Sequence, residues 1–109
     1  MGVDQGVIRV MTDYDCFPLW LRGGAGPTNI DPATLPISAA LAEELLAWAD
    51  EYDDTLDRDD PLASGFADRD AELAFYAHGR ELAHRLAGEL GETVDYFDGP
   101  AARDERISP

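Results

Sequence analysis

Two stretches of this chain carry their large apolar residues at helical spacing, and together they constrain the fold more than any other feature. In the first, Ile37, Leu41, Leu45, Trp48, Tyr52 and Leu56 recur at steps of three and four residues, which places them along one stripe of an α-helix. Pro36 or Ser38 can open that helix, and the spacing predicts it over residues 37–54. In the second, Asp68 caps a helix over 68–90 whose apolar face is Phe75, Leu82, Leu86 and Leu90, and Gly91 ends it. Gly79 lies on that face and allows a close approach of the two helices, while Glu81, Arg85 and Glu89 form an i,i+4 ladder towards solvent. Neither stripe can stay in water, so both require a common surface to cover.

That surface is a sheet. "GVIRVMTDY" is rich in β-branched residues and reads as a strand. "CFPLWLRGG" sets Phe17, Leu19 and Leu21 on one parity and Trp20 on the other, but Pro18 lacks a backbone donor, so it reads as an edge strand or extended segment. "GGAGPTNIDPATLP" is turn and loop material, and "TVDYFD", residues 93–98, reads as a closing strand beside the first. The expectation is a two-layer α/β (α+β) fold, a small sheet of two or three strands covered on one face by two helices in the order β-(β)-α-α-β. Residues 1–98 form a single domain in this reading, and 99–109, charged and proline-bearing, form a flexible tail.

Charge narrows the partners. The 109 residues hold 23 acids against 8 bases, all of them Arg, a formal net charge of −15. Such an excess opposes binding to nucleic acid, which needs cationic side chains against phosphate, and to anionic membranes. No apolar run approaches a signal peptide or a membrane span. The single Cys16 excludes an intrachain disulfide, and the reading is a cytoplasmic protein.

The acids are densest in "DEYDDTLDRDD", residues 50–60. As a calcium-binding hand this segment fails in either register: started at Asp53 it meets Arg58 where glycine is needed, and started at Asp57 it meets Leu62. An irregular divalent site on Asp53, Asp57 and Asp59 is the weak metal candidate. Acids at a helix C-terminus oppose the macrodipole, so a cationic partner would relieve them. Asp53, Asp54, Asp57, Asp59 and Asp60 are therefore the candidate partner-binding charges, with Tyr52 and Trp20 as aromatic anchors. Asp13 and Asp15 flank Cys16 and oppose a reactive thiolate. His78 and His84, six residues apart on one helix, point in different directions, which argues against a Cys–His pair. No cofactor signature is present.

"YDCFPLW", "LPIS" and "WADEYDDTLDRDDPLASGF" together resemble a group of short, acidic, functionally uncharacterised bacterial proteins, over residues 8–97. A weaker likeness, of size and acidity alone, is to toxin-immunity proteins. The function expected is a non-enzymatic acidic binding protein docking on a basic protein partner such as a toxin. The alternatives are a divalent-metal-binding module, or a ligand-free accessory domain that self-associates as a homodimer through an edge strand.

Overall fold

The computed structural model describes residues 6–22, 28–56 and 65–109. Five strands and two helices follow one another as β1 (Val7–Val10), β2 (Leu19–Arg22), β3 (Thr28–Ile30), α1 (Ala39–Asp53), α2 (Arg69–Leu90), β4 (Val94–Asp98) and β5 (Arg103–Ile107). A 3-10 turn over Pro32–Thr34 leads from β3 into α1. The strands form one mixed sheet in the order β3-β2-β1-β4-β5, parallel between β1 and β4 and antiparallel elsewhere.

This corrects the expected fold class. The sheet has five strands, not two or three, and the order is β-β-β-α-α-β-β. The two strands missed are both edges. β3 is the tripeptide TNI, too short to show an alternating pattern. β5, RDERI, carries four charges and a single apolar residue, because an edge strand in water needs little apolar surface and is protected by charge. That same composition is what makes 99–109 look like a tail in the sequence, yet Ile107 is 1% exposed and packs in the core.

Register divides the sheet residues between two faces. Val10 stands opposite Leu19 and Tyr96, and Val94 opposite Ile107; all five are buried against the helices. From α1 come Leu41, Leu45 and Trp48, and from α2 Phe75, Leu82 and Leu86, all part of the same core. The alternate positions, Arg9, Trp20, Asp95 and Arg106, fall on the face that neither helix covers.

The helices are bounded as their sequences dictate. Ser38 accepts a hydrogen bond from the Leu41 amide at 3.1 Å, and Asp68 from the Ala71 amide at 2.8 Å, each satisfying an orphan donor of the first turn. α2 ends in Gly91 at φ 69°, in the left-handed region glycine tolerates, with its amide bonded to the Ala87 carbonyl. The expected Glu81–Arg85–Glu89 ladder is replaced by bonds between the helices. Arg85 donates to Glu44 of α1 at 2.6 Å, and Glu89 accepts from both the amide and the hydroxyl of Ser38, at 2.6 and 2.9 Å. α2 thereby helps to cap α1.

Candidate functional site

The C-terminal turn of α1 ends in Asp50, Glu51, Asp53 and Asp54 with no basic residue in it. Against this turn lies the β1–β2 loop, residues 11–18, and three contacts join them. The Asp53 carboxylate accepts the Asp15 amide at 2.9 Å. The Tyr14 ring stacks on Tyr52 with centroids 4.7 Å apart. The Tyr14 hydroxyl lies 3.1 Å from the Thr55 hydroxyl. Asp15 adopts φ 59°, a left-handed conformation that aspartate accepts more readily than most side chains.

On the other side of the loop, the side chain of Asn29 in β3 acts as a strand would. Its Oδ1 accepts the Phe17 amide at 2.9 Å, and its Nδ2 donates to the carbonyls of Phe17 at 2.8 Å and Leu19 at 3.0 Å. The Phe17 backbone is thus held at both its donor and its acceptor while its side chain stays 39% exposed. Loop and helix enclose a groove of about 330 Å³ lined by Asp15, Cys16, Phe17, Leu46, Asp50 and Asp53. The groove offers carboxylates and an exposed aromatic ring. Burial pushes the Cys16 thiol above its ordinary pKa, and the carboxylates of Asp13, Asp15 and Asp53 push it further, which disfavours the thiolate.

The residues singled out from sequence are only partly brought together. Asp53 and Asp54 sit at the end of α1. Tyr52 is beside them but half-buried, packed between Tyr14, Phe66 and Phe75. Burial and its tyrosine neighbours push its phenol up to about 12. Tyr52 is therefore more a strut of the core than a free anchor. Trp20 faces the uncovered side of the sheet, its indole Nε1 donating to the Met11 carbonyl at 2.9 Å, away from the α1 turn. Asp57, Asp59 and Asp60 lie outside the described residues. Asn29 carries no signal in the sequence, and Phe17 and Asp50, although Asp50 opens the acidic segment, are not among the partner-binding residues expected from it. The usable signal was parity: Phe17 continues the Leu19–Leu21 side beyond the strand, where the core has ended.

Among the described residues no group of three His, Cys, Asp or Glu is arranged to hold a metal ion, and no helix is long and apolar enough to cross a membrane. The structure is that of a small α/β domain. The chain belongs to the Serratia CdiI immunity protein-like family, whose sequence pattern matches residues 6–99. β5 falls outside that match. No curated protein matches the chain.

Proposed function

We propose that the protein is a non-enzymatic immunity protein that neutralises a basic toxin by docking the β1–β2 loop and the C-terminal turn of α1 against it. Family membership supports the toxin-inhibitor role. The observation that carries the choice of surface is the exposed Phe17, its backbone held by Asn29, beside the carboxylates of Asp50 and Asp53. A pre-positioned aromatic loses little conformational freedom on binding. A surrounding surface of one sign accelerates encounter with an oppositely charged partner. Asp54 stands at the same turn, and Asp57, Asp59 and Asp60 follow it in sequence.

The experiment is co-expression with the product of the adjacent reading frame, followed by co-purification and growth rescue. A complex whose association rate falls steeply between low and high salt, and falls again in an Asp50→Asn/Asp53→Asn variant, supports the reading. A complex with a salt-independent association rate overturns the acidic docking surface. A neighbour that is neither toxic nor bound, in a host where the chain also fails to protect, overturns the immunity role itself.

A further inference from the structure

Among the described residues the helices cover one face of the sheet and leave the other open, and this second face differs in charge from the rest of the chain. On it stand Arg9 of β1, Trp20 and Arg22 of β2, Asp95 and Phe97 of β4, and Asp104 and Arg106 of β5. Three arginines meet two aspartates there, a balance of +1, which leaves −16 for the remainder of a chain whose total is −15. The charges are interleaved. Arg9 donates to Asp104 at 2.9 Å while lying 5.0 Å from the centre of the Phe97 ring. Arg22 reaches both Asp95 and Asp104, at 3.1 and 3.3 Å, and Arg106 reaches Asp95 at 3.3 Å. Asp95 is the most enclosed of these groups, 8% exposed although no helix covers it. The outermost is Arg106, with its side chain 69% exposed.

From this we infer that the bare face of the sheet is a homodimer interface, occupied by the same face of a second copy. Two arguments select that occupant. First, copies carrying −15 repel one another wherever their acidic surfaces meet. The open sheet face, at a balance of +1, is a surface on which like copies meet without that acidic repulsion. Second, Asp104 and Arg106 stand two apart on β5 and point to the same side. A two-fold axis lying between the faces and perpendicular to β5 runs the partner's β5 antiparallel to this one, which brings Arg106 of each copy towards Asp104 of the other. A strand face bearing opposite charges at i and i+2 is complementary to itself under that operation. Trp20 and Phe97 supply the rings between the charged pairs, at the spacing of about 10 Å normal for stacked sheets.

The groove's carboxylates Asp50 and Asp53 belong to α1, on the opposite face of the sheet from this interface. The test is sedimentation of the full chain over a hundredfold range of concentration, at low and at physiological salt. A reversible monomer–dimer equilibrium is expected. Arg106→Asp should weaken it at least tenfold by setting two acids against two acids, and the exchanged Asp104→Arg/Arg106→Asp chain should restore it. Because Arg106→Asp also places a carboxylate near Asp95, concentration-dependent amide shifts of the unaltered chain provide the second measurement. These should cluster on Arg9, Trp20, Phe97 and Arg106. A chain monomeric throughout, a dimer indifferent to Arg106→Asp, or shifts confined to the helices would each overturn the assignment.

Discussion

Gly79 of α2 faces the indole of Trp48 in α1 so closely that a Cβ added to the glycine would fall 2.7 Å from Cε2 and nearer still to Cζ2. Trp48 cannot retreat. It is fully buried, stacked on Phe75 at 4.9 Å, and its Nε1 donates to the Phe75 carbonyl at 3.0 Å. Gly79→Ala gains roughly 1 kcal/mol of helix propensity, but forcing the ring aside costs more, since overpacking a tight core typically costs about 1–3 kcal/mol. The variant should be less stable than the parent by urea denaturation, with Trp fluorescence altered in the native baseline. A more stable variant would mean that the helices can separate freely at this point.

A close approach of the helices at Gly79 was legible in the sequence, because a glycine on the apolar stripe of a long helix removes the side chain that would hold its neighbour off; that Trp48 fills the space was not. The helices themselves were legible for a related reason: each buries one continuous stripe, so period and burial coincide. The edges of the sheet were not. Ile107 is the one apolar residue of β5, and a single buried side chain carries no period. The groove was half visible. The acids at the end of α1 were plain, but the pairing of Phe17 with Asn29 joins residues twelve apart in sequence through side-chain geometry that no spacing rule encodes. Trp20, an expected aromatic anchor, stands on the sheet face away from the helices, and strand parity alone does not say which face the helices take.

The Arg80–Glu105 pair ties α2 to the edge strand by two parallel bonds of 2.8 and 2.7 Å. Arg80 holds the Glu105 carboxyl below its ordinary range, chiefly through those hydrogen bonds and then through its charge, with His84 and Arg103 adding to it. A carboxyl lowered in the folded state stabilises the fold above the unfolded pKa, and that contribution disappears as pH falls through the lowered value. Glu105→Gln should therefore melt below the parent at neutral pH, and the gap should close in acid. A gap that stays constant with pH would show that packing, not charge, is what the substitution removed.

Cys16 offers a chemical probe of the same groove. Its thiol is raised by burial first and by Asp13, Asp15 and Asp53 next, so at neutral pH it should react with a disulfide reagent more slowly than free cysteine. Asp13→Asn/Asp53→Asn should speed the reaction by removing two of the negative neighbours. Bound toxin should protect the thiol, since Cys16 lines the groove beside Phe17. Unchanged reactivity in the doubly neutralised variant would remove the electrostatic part of this account.

Phe17 and Asn29 separate binding from folding. Phe17→Ala removes a ring already 39% exposed, so stability should change little while toxin affinity falls at least tenfold, about 1.4 kcal/mol. Asn29→Asp acts differently. The carboxylate can still accept the Phe17 amide but cannot donate to the carbonyls of Phe17 and Leu19, which it would face at the present 2.8 and 3.0 Å. Leaving those acceptors unpaired against a negative charge should cost about 1–3 kcal/mol and release the loop, seen as faster hydrogen exchange at the Phe17 amide. Toxin affinity should drop with it even though the ring is intact, because an unheld anchor must be ordered on binding. If Asn29→Asp loosens the loop and affinity does not move, pre-positioning of Phe17 contributes nothing to recognition and the anchor lies elsewhere on the acidic surface.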